Sequence, residues 1–245
     1  MAEKLRHSFP TLLQKRIEAL LLDGSLSIGA ILRADALSSM LDADQSATGQ
    51  VLASAYRKGL VEQRKDGTYS VLAPAKPSVE SVFQHTARMG FKPTTIVRDV
   101  QVITSDEKIA FHLKVNPGDP IYLQVRSRLV EGVMLANQRN YLPVEVCPDL
   151  ESQNLSKRSF QEVLEQVYHA VVADVKETVS LAPASLEDRQ VLDLSKKEDV
   201  VIIQRLSLSR TRQPLVWADI HVRLDRIEYV AALWPAAARL IEENK

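Results

Sequence analysis

The sequence predicts an α+β protein built in two parts, and three observations carry that prediction. Residues 11–72 alternate short amphipathic helical patterns with a hairpin signal. From residue 95 onward the pattern changes to six longer β-branched runs with helical segments between them. Between the two lies Ala73–Val79 (APAKPSV), whose prolines and small residues read as a linker. A chain of 245 residues is comfortable for two domains, expected here at 1–75 and 76–245.

In the first part, Thr11–Leu22 (TLLQKRIEALLL) sets Leu12, Leu13, Ile17, Leu20 and Leu21 on one helical face, and Asp23-Gly24 ends it. Asp35–Leu41 makes a second short helix. Asp44 or Ser46 can cap a third, which turns Val51, Leu52 and Ala55 inward and stops at Gly59. Leu60-Val61 opens a strand, Asp66-Gly67 is a hairpin turn, and Thr68–Leu72 returns. Three helices plus a two-stranded wing describe a winged helix-turn-helix.

In the second part the expected strands are Thr95–Ile103, Ile121–Val130, Ala136–Leu142, Val171–Leu181, Val200–Ser209 and Leu215–Leu224. Ser159–Tyr168 reads as a helix, with Ser159 and Glu162 in a capping-box pattern and Phe160, Val163, Leu164 and Val167 as its buried stripe. Strand runs punctuated by helices point to a mainly antiparallel sheet. A weak repeat runs through them. Leu113–Arg126 (LKVNPGDPIYLQVR) parallels Leu192–Arg205 (LDLSKKEDVVIIQR): a helix end, a polar turn, then a strand closing on arginine. Two related halves would bring Arg126 and Arg205 to comparable places, although shared strand grammar can also produce matched segments.

Composition narrows the function. The 31 basic and 31 acidic residues cancel, so no global positive field draws the chain to nucleic acid or anionic lipid. Met1–Ala75 holds nine basic and eight acidic residues, a weak balance for a module that grips phosphates. The single Cys147 excludes an internal disulfide and fits a reducing compartment. The N-terminus lacks a signal-peptide core, and the apolar tail VAALWPAAARLI is short and broken by Pro235, so a cytoplasmic protein is expected. Enzyme readings score poorly. His7, His85, His112, His169 and His221 have no metal-ligand spacing, Cys147 precedes a proline with no base beside it, and no glycine-rich phosphate loop or nucleophile elbow occurs. No metal or cofactor is expected.

The order of parts resembles the GntR superfamily of bacterial transcription regulators, in its HutC branch. In the first domain the resemblance rests on Ile31–Ser38 (ILRADALS), Gly59-Leu60-Val61 and Gly67-Thr68-Tyr69. In the second it rests on Gly118-Asp119-Pro120-Ile121-Tyr122 followed by Arg126 and Arg128, on Glu131-Gly132 running into Tyr141-Leu142-Pro143, and on Gln213-Pro214-Leu215. The resemblance covers nearly the whole chain. It implies a DNA-binding winged helix joined to a UTRA effector-binding domain with a chorismate-lyase-like fold, acting on operator DNA as a homodimeric repressor under control of a small molecule.

The departures fall where that family touches DNA. Its Ser-Glu-Arg before the second helix is replaced by Arg33, Ala34 and Asp35, and the arginines of its recognition helix by Gln45 and Gly49. Two readings stand. In one, Gln45, Ser46, Thr48 and Gln50 make polar contacts to DNA, glutamine being able to pair bidentately with adenine, while Arg33, Arg57, Lys58, Arg64 and Lys65 hold phosphates. In the other, the module serves dimerisation or docking, and the chain is a ligand sensor or a lyase-like binder that leaves DNA alone.

For the ligand, Arg126 and Arg128 share a strand face by period two, so two guanidiniums could fork an anionic group. The bland alternative is a surface ion pair. Gln138 stands where many relatives have glutamate, which favours a more anionic or a neutral polar ligand. Tyr141 and Trp217 offer a flat wall, or ordinary core packing; Arg88, Gly90 and Phe91 enter where a loop usually closes over the ligand; and Asp219, Arg205 and Arg223 are further polar candidates. Coupling between the domains is expected to pass through Ala73–Val79 and Ser81–Phe91.

Overall fold

The computed structural model describes residues 2–75, 86–153, 155 and 160–226, with side chains of the first helix described from Leu12 onward. The Ser159 cap, residues 76–79 and 81–85 of the two expected coupling segments, and the C-terminal apolar tail lie outside those residues.

The N-terminal unit contains α1 (Ala2–Leu22), β1 (Ile31–Leu32), α2 (Ala34–Leu41), α3 (Gln45–Lys58), β2 (Val61–Gln63) and β3 (Tyr69–Val71). Asp44 is the cap of α3: its carboxylate accepts from the Ala47 N–H at 2.8 Å, satisfying a donor that the first turn leaves orphaned. Gly59 ends α3 at φ +81°, a left-handed conformation that costs a glycine little. Asp66 sets the hairpin turn by accepting from both the N–H and the hydroxyl of Thr68. The strands form a three-stranded antiparallel sheet in the order β1-β3-β2; the two-residue β1 was not expected from sequence. Ile17, Leu37, Leu52, Ala55 and Val61 meet in one core beneath these elements.

The second unit is a six-stranded, wholly antiparallel sheet of β4 (Pro93–Thr104), β5 (Pro120–Val130), β6 (Val133–Pro143), β7 (Asp174–Pro183), β8 (Asp199–Leu208) and β9 (Pro214–Arg223). Its helices are α4 (Glu107–Leu113), α5 (Phe160–Gln166) and α6 (Leu186–Leu192). The strand order β4-β5-β6-β9-β8-β7 puts the repeat into three dimensions. Each half is a long strand, a short helix and a hairpin, and the halves join at β6 and β9. Even the helix ends agree. Asp106 and Ser185 cap α4 and α6, while Lys114 and Asp193 close them in left-handed conformation at φ +53° and +54°. Ser185 and Asp188 form a reciprocal capping box that the sequence reading did not single out.

The sheet's two faces are covered differently. Residues directly opposed in antiparallel strands share a face. The register Arg126–Gln138–Ile220–Ile203 therefore defines one face, and Tyr141–Trp217–Leu206 the other. On the first face, α5 and the segment after β6 cover an apolar end around Tyr122, Leu142, Leu164 and Val216, while Val130, Ala136, Ile203 and Ile220 make a second apolar patch. On the opposite face α4 packs over Ile121 and Trp217, and α6 over Val200. Among the described residues no helix is long and apolar enough to cross a membrane.

Candidate functional site: a buried arginine face

Between the two apolar patches of the first face lies a polar strip. β5 contributes Gln124, Arg126 and Arg128, β6 contributes Gln138 and Asn140, and β8 contributes Arg205. Gln138 Oε1 accepts from Arg126 Nε at 3.2 Å and from Arg128 Nε at 2.9 Å. Its amide nitrogen donates to Asn140 Oδ1 at 2.7 Å, and Asn140 in turn donates to Gln124 Oε1 at 2.8 Å. The relay runs one way and ends on Gln124 Nε2, a buried donor with no acceptor among the described residues. Among the described residues, what the strip leaves unspent is mainly donor: terminal guanidinium nitrogens of Arg126 and Arg128 and the Gln124 amide N–H.

Charge sharpens the point. Arg205 pairs with Glu177 of β7 at 3.2 Å. Among the described residues no carboxylate pairs with Arg126 or Arg128. Burial, and then the fields of Arg128 and Arg205, depress the pKa of Arg126 well below the usual arginine range; burial and Arg205 push Arg128 down to about 10. A guanidinium does not give up its proton in a protein, so the strain reads as a demand for negative charge. Arg126 also lies 5.3 Å from the centre of the Phe160 ring. The surface-ion-pair alternative does not hold for Arg126, which is only 6% exposed; Arg128 is half-buried and bonds to Gln138.

Of the other expected ligand residues, Phe91 packs against the apolar patch on this face, beside Val130 and Ala136. Arg88 and Gly90 are exposed, Gly90 at φ +88°. Tyr141, Trp217 and Asp219 are a correction: all three lie on the opposite face of the sheet. Trp217 is stacked between His112 of α4 and Tyr141, at 4.5 and 5.2 Å between ring centres. Asp219 faces His221, whose other ring nitrogen meets Asp188 at 2.9 Å. The cause is the period of two: Asp219 opposes Arg139 and so cannot share a face with Gln138. Sequence reasoning grouped these residues by chemistry; it passed over Gln124 and Asn140, which period two from Arg126 and Gln138 would have found.

In the N-terminal unit, Gln45, Ser46 and Gln50 are exposed on α3, and Arg64 and Lys65 on the hairpin turn. Arg33 is exposed and paired with Asp35. Thr48 is fully buried and its hydroxyl donates to the Asp44 carbonyl, so it is not presented outward. Arg57 and Lys58 are drawn inward as well. Arg57 pairs with Glu145 at 2.7 Å, and Lys58, with no side-chain exposure, pairs with Glu18 at 2.7 Å.

Comparison with known proteins agrees with this architecture. The UTRA domain family matches residues 88–228. The chain is similar to the HTH-type transcriptional regulator GgaR of Escherichia coli, 22% identical over 147 residues, 60% of this chain and 58% of that one. The chain thus spans under two thirds of that relative's length. It is also similar to the HTH-type transcriptional repressor NagR of Bacillus subtilis, 22% identical across 74% of this chain and 76% of that one. Among solved structures, PhnF from Mycobacterium smegmatis superposes with a TM-score of 0.56 at 19% identity, covering 87% of this chain and 95% of that one. The C-terminal domain of the histidine utilization repressor from Pseudomonas syringae superposes with a TM-score of 0.51 at 18% identity, over 55% of this chain and 94% of that one. The relatives are named as regulators, in keeping with a chain that is not an enzyme. With its second unit matched over more than half the sequence, the chain belongs to the UTRA-domain family.

Proposed function

We propose that this protein is a cytoplasmic, ligand-responsive transcription repressor that binds an inverted-repeat operator as a homodimer. The N-terminal unit (1–75) is read as a winged helix-turn-helix and the remainder (76–245) as its effector-binding domain. The observation that carries the effector half is the donor-rich strip on β5, β6 and β8, where Arg126 and Arg128 have no carboxylate partner among the described residues. An anionic small molecule would take the free guanidinium edges in fork geometry, with an acceptor atom placed for Gln124 Nε2. On DNA, the exposed Gln45, Ser46 and Gln50 would face base edges, and Arg33, Arg64 and Lys65 the phosphates. Two-fold symmetry of the dimer would be mirrored in the operator. For the ligand to change operator affinity it must bind the free and DNA-competent states unequally.

The test is fluorescence anisotropy with duplexes taken from beside the protein's own gene, repeated across a salt series. Saturable binding confined to one duplex, with a modest salt slope, supports base reading through few phosphates. Absence of binding even at low salt would sink the repressor reading and leave a ligand sensor whose N-terminal unit docks on something else.

A further inference from the structure

The end of α3 is bolted to the UTRA unit. The segment after β6 holds it on one side: the Glu145 carbonyl accepts from Ser54 Oγ at 2.8 Å and from Gln14 at 3.4 Å, while the Glu145 carboxylate takes Arg57. Arg57 donates as well to the Leu113 carbonyl at the end of α4. The β8–β9 turn holds the other side. Arg210 Nε donates to the Gly59 carbonyl at 2.7 Å and Thr211 Oγ1 to the Tyr56 carbonyl at 2.8 Å, so side chains of the second unit bond carbonyls at the helix end. Lys58, beneath them, sits 5.9 Å from the Tyr168 ring centre.

Charge gives these contacts a consequence. Residues 31–72 contain five acidic side chains (Asp35, Asp42, Asp44, Glu62, Asp66), all exposed. They contain five basic ones, of which only Arg33, Arg64 and Lys65 are exposed; Arg57 is taken by Glu145 at the joint, and Lys58 is buried against Glu18 of α1. Docking therefore occupies Arg57, and with Lys58 already held by Glu18 of its own unit a phosphate backbone meets a net negative face.

We propose that this joint is an autoinhibitory contact: docked on the UTRA unit, α3 is withheld from DNA, and undocking returns Arg57 to the phosphate-binding surface. The proposal rests on the reading of the N-terminal unit as DNA-binding. It also supplies a route for control, because the two gripping segments are direct continuations of the strands carrying Gln138 and Arg205. Movement at the arginine face reaches α3 through those strand ends without passing through the 73–79 linker.

A lock tests it. A Cβ placed at Gly59 would lie 3.5 Å from Ser209 Cβ, within the range a disulfide spans, and 3.1 Å from Arg210 Cγ, a flexible side chain that must shift. Because φ +81° also strains a cysteine there, the reduced double variant is the reference for the oxidised one. The full-length Gly59→Cys/Ser209→Cys protein, in a Cys147→Ala background, is oxidised, checked for the cross-link on a non-reducing gel, and titrated with a mixed-sequence duplex and with duplexes from beside its gene. Expected is binding about tenfold or more weaker when oxidised, with a salt slope shallower by about 1, and full recovery on reduction. Equal binding by the two forms overturns the autoinhibition while leaving the DNA-binding reading intact. If no cross-link forms, Glu145→Ala/Thr211→Val, which removes contacts of the joint but no cation, decides: duplex binding tighter than the parent's supports the autoinhibition, and unchanged binding overturns it. A cross-link that forms in a protein binding no duplex in either form removes the DNA-binding reading, and this proposal with it.

Discussion

The two faces of the UTRA sheet are made from the same strands, yet they differ in kind. One carries Arg126, Arg128 and Arg205 with a single carboxylate, Glu177, among their described partners. The other carries Arg139 paired with Glu187, and His221 held between Asp188 and Asp219. Both faces are polar at their centres; on the second, opposite charges face one another, whereas the first retains an excess of donors. Buried ionic groups that are already matched tell of folding, and buried groups left unmatched tell of a ligand. The same contrast divides α3, whose exposed N-terminal half offers Gln45, Ser46 and Gln50 while its C-terminal half spends both of its cations inside the protein.

Substitutions can break that contrast. The largest stability effect is expected at the matched, buried pair: Lys58→Ala leaves Glu18 uncompensated and should cost about 3–5 kcal/mol by urea unfolding. The double variant Glu18→Gln/Lys58→Met should recover much of that loss; a double variant as unstable as the single one would mean that packing, not charge, holds the site. On the unmatched face the expectation reverses. Arg128→Ala removes one of several buried like charges, so thermal stability should hold or rise while response to any anionic effector is lost, read by a thermal-shift panel of phosphates and carboxylates. Full response by Arg128→Ala would take that residue out of the site.

Asp219→Asn, across the sheet, serves as the control. It should leave ligand response within about twofold of the parent, because the strand register turns it away from the arginines. A loss comparable to that of Arg128→Ala would refute the two-face description. A smaller effect is expected at the cap of α3, where Asp44→Ala should cost about 1 kcal/mol in the same unfolding assay.

The smallest effect concerns pH. Burial lowers the pKa of His221, but its bonds and charge interactions with Asp219 and Asp188 outweigh this and raise it above the ordinary 6.5. A raised folded-state value means that the His221 contribution is fully present below about pH 6.5 and is lost as pH rises through the folded value. For Asp188, burial opposes but its bonds to Ser185 and His221 lower the pKa, so its contribution fades instead as pH falls through the acid range. Stability measured from pH 5 to 9 should therefore decline above neutrality in the parent and flatten in His221→Gln; identical profiles would show that the pair adds nothing.

Much of the fold was legible because strands and helices are short-range statements. The six strands fall within three residues of their expected starts, since β-branched runs bounded by Gly, Pro and Asp admit few other conformations. Gly59, at φ +81°, was read as a helix end for its conformational freedom alone. The repeat was visible as a pairing of Leu113–Arg126 with Leu192–Arg205, and the structure places both segments at the same point of their half-sheets. The candidate site was only half legible. Arg126, Arg128 and Gln138 were found by period and resemblance, but Tyr141, Trp217 and Asp219 were assigned to the wrong face because their register against β5 depends on a hairpin and a distant strand.

The sequence by itself determined the elements, their order and the presence of an arginine pair on one strand face, because each is set by neighbours within a few residues. Tertiary structure alone decided which polar groups meet. It turned Trp217 and Asp219 away from the arginines, extended the amide relay to Gln124, took Arg57 from the exposed surface into a joint with Glu145, and buried Lys58 against Glu18 of α1. A long cationic side chain has no fixed partner in one dimension; the carboxylate it meets is chosen by packing between segments as far apart as residues 57 and 145. Local pattern sets which face a side chain takes, and only the assembled chain sets what waits there.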